Sequence, residues 1–236
     1  MTKTPLLGGE GVAARDLEDL ARNQGFSLAS KTQPADILLV ARPERQQLAS
    51  ILSAQPPYAV IEAPAPDQAF GGRLKRALEN KGLLLSLSTA TGFNADLTSL
   101  LCAACRQRMD FSDERLSDIE TAVEEALSNA MVHGNLDIAS VLRNDPADFD
   151  QYCDLVNERL TTPNYADRRI EILMTWSRDG FDVEVHDEGR GYDISNFQAL
   201  PQVEAKCGRG FSLIRDLASN VTIAEHGRSL TMSFAP

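Results

Sequence analysis

Hydrophobic positions along this chain follow two periods, and the change from one to the other marks its elements. Residues 14–24 carry apolar residues at helical spacing, with Gly25 placed to end the helix. Residues 36–41, Asp-Ile-Leu-Leu-Val-Ala, form a short continuous apolar run, which predicts a buried strand. Tyr58-Ala-Val-Ile61 is a second such run, preceded by Pro56-Pro57 and followed by Pro64 and Pro66. Residues 67–80 read as a helix weakened by Gly71-Gly72. Alternation of strand and helix predicts a small α/β unit over residues 1–82, closed by Gly82.

Stronger patterns begin at residue 83. Residues 83–89 read as a strand, and Asn94 is placed to cap a helix reaching about Met109. Ser112 is placed to cap another, over residues 113–133. There Leu116, Ile119, Val123, Ala126, Leu127 and Ala130 form one apolar stripe, with Gly134 just past the end. Residues 145–160 read as a less regular helix carrying Phe149, Tyr152, Leu155 and Leu160, which Pro163 stops. Residues 169–176 and 181–186 read as a hairpin turning through Ser177-Arg-Asp-Gly180. A glycine-bearing loop, a helix over residues 211–219 and strands over 221–225 and 229–234 complete the chain.

Composition narrows the function. A chain of 236 residues corresponds to roughly one or two domains. The 23 basic and 34 acidic residues give a net charge of −11, opposite in sign to a nucleic-acid binder, so DNA and RNA are not expected partners. No apolar run approaches the ~20 residues of a membrane helix, and the start lacks a signal peptide's apolar core. The expectation is a cytoplasmic protein without a membrane partner. Cys102 and Cys105 form a C-x-x-C without a second ligand pair at zinc spacing, so redox or metal use stands against simple burial on a helix face.

Three boxes carry the chemistry. In Glu125-Ala-Leu-Ser-Asn129-Ala-Met-Val-His133-Gly134, Glu125 and Asn129 lie four apart on one helix face. A carboxylate and an amide oxygen there can meet magnesium or its waters, and the carboxylate can serve as a general base. In Asp187-Glu-Gly189-Arg-Gly191, a carboxylate at a strand end can accept a hydrogen bond from an adenine amino group, and the glycines permit close approach. In Gly208-Arg209-Gly210, a glycine loop feeds a helix N-terminus, which favours phosphate. Each box alone has an ordinary reading: a solvated helix face, a plain turn, a flexible connection. Their order along one chain is much rarer.

On these residues, 83–236 resembles the ATP-binding domain shared by gyrase, histidine kinases and MutL, and within it the anti-sigma-factor serine/threonine kinase branch. The resemblance implies an α/β fold, a two-layer sandwich of the histidine-kinase-like ATPase type, preceded here by the small α/β unit. It implies ATP and Mg2+ as cofactors. It makes Asn129 the magnesium ligand, Glu125 the base, and Asp187 the adenine reader. Gly189 and Gly191 become adenine-pocket glycines and Gly208, Arg209 and Gly210 the phosphate loop, with His133 a further position of the first box. Glu124, on another stripe, is read as exposed. The implied partners are an anti-anti-sigma (STAS-type) protein as substrate and a sigma factor.

Two stretches depart from that pattern. Residues 138–168 lengthen the link between the first box and the hairpin, as a partner surface or a helical cover for the sheet edge. Residues 1–82 resemble a degenerate receiver, with Ala41 where the central strand ends and no phospho-acceptor there. They are read as an interaction module, and a homodimer stays open. The competing functions are a non-catalytic, nucleotide-gated partner switch and the catalytic half of a split histidine kinase.

Overall fold

The computed structural model describes residues 4–30, 32–53, 57–65, 71–139, 149–178, 180–191 and 209–235. The first elements are β1 (Leu6–Glu10), α1 (Ala14–Gln24), β2 (Ser27–Leu28), β3 (Ile37–Ala41), α2 (Arg45–Ser53), β4 (Ala59–Ala63), α3 (Gly71–Glu79) and β5 (Leu83–Ser88). Their strands pair in parallel in the order β2-β1-β3-β4-β5, a doubly wound order. Next come α4 (Thr89–Asn94), α5 (Leu97–Arg106), α6 (Asp113–Ser128) and a π-helical segment (Asn129–Asn135). α7 (Phe149–Thr161), α8 (Pro163–Ala166), β6 (Arg169–Trp176), β7 (Phe181–Asp187), α9 (Arg209–Leu217), β8 (Asn220–Ala224), a 3-10 turn (Glu225–Gly227) and β9 (Ser229–Phe234) follow.

β5 serves both halves. It pairs in parallel with β4 and antiparallel with β6, and the sheet continues through β7, β9 and β8. Among the described residues, nine strands thus form one mixed sheet of an α/β fold. The largely apolar run Leu83-Leu-Leu-Ser-Leu of β5 follows from this position, because a strand covered on both faces has no solvent-facing side; its one polar residue, Ser86, is buried and donates to Glu171.

Alternate residues feed two cores. Val40, Leu85, Ile170 and Val183 face α2, α5, α6 and α9, while Leu39, Ile61, Leu84 and Leu173 face α1 and α3. The stripe Leu116, Ile119, Val123, Ala126 and Leu127 of α6 is buried in the first core. Each of its large side chains contributes roughly 1.5–3 kcal/mol by leaving water. The connections through α2 and α3 step the same way across the sheet, yet these helices cover opposite faces. The two crossovers therefore have opposite hand, although such connections are nearly always right-handed. The result is that α3 lies on the face away from α6 and α9.

The structure corrects several expectations. Asn94 does not cap a helix; its side chain donates to Ala90 O at 2.8 Å, inside α4. Two helices occupy the region instead. Ser88 caps α4 by accepting from Thr91 N, and Asp96 caps α5 by accepting from Ser99 N. Asp96 sits at φ 51°, a left-handed conformation that Asp and Asn tolerate better than most residues, and the chain turns between the helices there. The helix capped by Ser112 changes to π geometry at Asn129, so Gly134 lies inside the last turn rather than beyond it. Pro163 ends α7 and opens α8, where its missing N–H costs nothing.

Cys102 and Cys105 are buried in α5. Burial pushes the Cys102 thiol up to about 11 and raises Cys105 as well. The C-x-x-C is a packing feature here.

Candidate functional site

Glu125 and Asn129 are positioned by α6, whose apolar stripe fixes its rotation on the sheet. Both are half-buried, while Glu124 is exposed. The Asn129 amide donates to the Glu125 and Ala126 carbonyls, so the two site residues share one helical turn. The π segment begins at Asn129 itself. Single π turns within α-helices are frequent at functional sites, and this one closes with Leu136 N donating to Met131 O at 2.8 Å. His133 turns its Nδ1 to Ile138 O at 2.6 Å, which ties the ring to the exit of the segment.

The end of the π segment meets the end of β7. A Cβ at Gly134 would lie 2.5 Å from Asp187 Oδ1, and a Cβ at Gly189 would overlap the Gly134 carbonyl. Only glycines allow this approach. The Gly189 amide donates to Asp187 Oδ1 at 2.8 Å. Asp187 is 7% exposed. Burial pushes its carboxyl up to about 6, against the pull of the Gly189 N–H and the positive charges of Arg228 and Arg168. Its neighbour His186 is held down at about 4 by burial and by Arg73, so the ring is neutral at pH 7.

The third box adjoins the first. Arg209 and Gly210 open α9, and a Cβ at Gly210 would collide with the Glu125 side chain. The positive end of the α9 dipole is thus set beside a carboxylate. Gly208 and residues 192–207 lie outside the described residues, as do residues 140–148 of the stretch between first box and hairpin.

Sequence reasoning missed Asn135. Its side chain is fully buried and spans three elements. Nδ2 donates to Thr89 Oγ1 at 2.8 Å and to Arg169 O at 2.9 Å, while Oδ1 accepts from Glu188 N at 2.8 Å. Asn135 therefore pins the Asp187-Glu-Gly189 loop to the end of the first box. Around it, Arg168 donates to Asn135 O at 2.6 Å and Arg159 donates to the Leu136 and Asp137 carbonyls. Both guanidinium groups stack on Tyr165. α7 packs Val156 onto Val132, Leu136 and Ile138, so this helix buttresses the first box. The one available signal was an asparagine directly after His133-Gly134.

Residues 94–234, well over half of the chain, match the family described as the histidine kinase-like ATPase domain. The chain belongs to that family. A search of curated proteins finds no match. The histidine kinase-like ATPase domain is an ATP-binding domain, and the residues present fit that ligand. The glycine approach around Asp187 leaves a carboxylate framed by backbone, suited to an adenine edge. Magnesium prefers oxygen ligands and is commonly held by one or two protein groups together with phosphates and water. The Asn129 and Glu125 oxygens match that chemistry. Among the described residues no group of three His, Cys, Asp or Glu side chains could hold a metal ion. Among them too, no helix is long and apolar enough to cross a membrane.

Proposed function

We propose that the chain is a cytoplasmic regulatory serine/threonine protein kinase of the anti-sigma type, dependent on ATP and magnesium. Its substrate is a hydroxyl of an anti-anti-sigma (STAS-type) protein, and its second partner is a sigma factor. The observation that supports this reading is the contact between Gly210, at the start of α9, and the Glu125 carboxyl. It sets a candidate proton acceptor next to the helix terminus that would hold phosphates.

In this scheme Asp187 reads the adenine amino group. The α9 terminus, with Gly208, Arg209 and Gly210, holds the phosphates. Asn129 supplies an oxygen to magnesium, which when bound offsets phosphate charge. The attacking hydroxyl oxygen forms its bond to the γ-phosphorus as the bond to the bridging oxygen breaks, and ADP leaves. The hydroxyl proton passes to Glu125. Such transfer depends mainly on positioning and charge compensation.

The same proposal takes residues 1–82 as a receiver-like interaction module without a phospho-acceptor. The order β2-β1-β3-β4-β5 supports it, and β3 ends at Ala41 rather than at a carboxylate. The placement of α3 on the face opposite α2 is a departure from a doubly wound unit.

The test is transfer from γ-labelled ATP to a STAS-type protein. Wild type labels the partner. Glu125→Gln binds ATP but transfers roughly 10²–10⁴-fold more slowly, the usual general-base contribution. Intact ATP binding without transfer to any such partner would leave a nucleotide-gated binding protein in the kinase's place.

A further inference from the structure

Arg73 connects a segment ahead of the matched domain to the turn behind the candidate nucleotide pocket. It lies on α3 and is 5% exposed. Its Nε donates to Glu184 at 2.8 Å, its Nη1 to Glu171 at 3.3 Å and its Nη2 to Glu225 at 2.5 Å. Arg76 adds a bond of 2.6 Å to Glu184, and the Ser86 and Ser229 hydroxyls donate to Glu171 and Glu184. A buried guanidinium requires such saturation, and Glu171 and Glu184 supply it on β6 and β7.

The third carboxylate is different. The Glu225 side chain is 45% exposed. It begins a turn in which Glu225, His226 and Gly227 have φ of 52°, 59° and 88°. Two consecutive non-glycine residues in the left-handed region cost free energy and persist only where their surroundings hold them. This turn touches the candidate site twice. The His226 carbonyl lies so close to Gly191 that a Cβ there would overlap it, and the Arg228 carbonyl accepts the Asp187 N–H at 3.0 Å.

We propose that Arg73 is a positioning residue for nucleotide binding: through Glu225 it holds the 225–228 turn, and with it Asp187 and Gly191. Residues ahead of the ATPase domain then form part of its site and sense its occupancy. The proposal rests on the reading of Asp187 and Gly191 as adenine-pocket residues. Coupling of this kind is reciprocal. A nucleotide that steadies the turn also steadies α3, and a displacement of α3 changes nucleotide affinity.

Arg73→Ala takes a guanidinium from three carboxylates, two of them buried, leaving Glu184 with Arg76 alone, and can fail to fold, so the test uses Glu225→Ala in the full chain, with Mg-ATP as the probe. Its affinity for ATP, measured by calorimetry, falls by about threefold to thirtyfold, the range for residues that carry coupling without touching ligand. The melting temperature of the ligand-free variant stays near that of wild type. Glu225→Gln, which keeps an acceptor for Arg73, recovers most of the affinity. In hydrogen exchange, saturating ATP slows the α3 amides of wild type and leaves those of ATP-saturated Glu225→Ala unmoved. Normal ATP binding with unmoved α3 amides in wild type, or undiminished affinity in Glu225→Ala, overturns the proposal alone. Absence of ATP binding by wild type overturns the nucleotide-site reading and this proposal with it.

Discussion

Gly210 stands against the side chain of Glu125: a Cβ at position 210 would lie 2.6 Å from Glu125 Cγ and nearer still to its carboxyl group. The helix that starts the phosphate box and the helix that carries the candidate base thus share one place. A glutamate side chain can swing aside, and alanine favours a helix over glycine by up to about 1 kcal/mol. Gly210→Ala should therefore fold while displacing the carboxyl, and transfer is compared at saturating ATP because position 210 also belongs to the phosphate box. Phosphoryl transfer should fall roughly 10²-fold, towards the Glu125→Gln level. Transfer at the wild-type rate would separate Glu125 from the proton-transfer step.

Asn135 gives a prediction about stability. Asn135→Ala removes the acceptor of Glu188 N and the donor to Arg169 O in a fully buried site. Leaving such groups unpaired costs about 1–3 kcal/mol. Urea unfolding should show that loss, and ATP affinity should fall with it, since the loop that carries Asp187 loses its anchor. Glu124→Ala, at an exposed position of the same helix, should stay within about 0.5 kcal/mol of wild type. Equal effects from the two variants would contradict the account of Asn135.

The pieces of the candidate site were legible because each is local in sequence. Asp187 ends β7 with Gly189 just after it, Arg209 and Gly210 open α9, and Glu125 and Asn129 share a helix turn; the order of the boxes and the resemblance they carry, rather than spacing alone, grouped them. Asn135 was not legible, because its three partners come from α4, β6 and the loop after β7, which only the folded chain brings together. The cap assigned to Asn94 failed for a different reason. Several polar residues near an apolar run qualify as caps, and the chain uses Ser88 and Asp96, where the backbone turns. Arg73 was hidden by topology. An apolar stripe shows that a helix packs on a sheet, and it does not show which face. Residues 83–89 were legible as a strand, but not that parallel and antiparallel partners would flank it.

The Asp187 carboxyl titrates at about 6 in the ligand-free protein, above its ordinary 3.8. Between these values the folded chain holds a proton that the unfolded chain releases. This group therefore lowers stability as pH rises from 4 to 6. Accepting a hydrogen bond from adenine requires the ionised form. ATP affinity should fall about tenfold one pH unit below that value, at pH 5, relative to pH 7.5. His186 acts with the opposite sign on the fold. Its proton affinity is depressed from 6.5 to about 4, so it contributes stability that is present above 6.5 and lost as pH falls through 4. Asp187→Asn separates the two effects. It should bind ATP weakly at pH 7.5, lose the step near pH 6 and keep the His186-linked loss of stability. A step unchanged in Asp187→Asn would assign it to another group.

The two helical cysteines should be inert. With the Cys102 thiol at about 11 and Cys105 also raised by burial, neither presents thiolate at pH 8. Mass mapping after alkylation should find both unmodified in the folded protein and both modified in urea. Their joint replacement by alanine should leave nucleotide binding intact. Rapid native labelling of Cys102 would restore a redox role.

The central claim is that the three boxes form one ATP site, and thermal unfolding tests it most directly. With magnesium and ATP at about 100 times the dissociation constant, the folded chain should gain roughly 2.7 kcal/mol of stability. The gain should be smaller with GTP and vanish without magnesium. No shift at millimolar ATP with magnesium present would contradict the assignment of Asn129, Asp187 and Gly210 to a single nucleotide site.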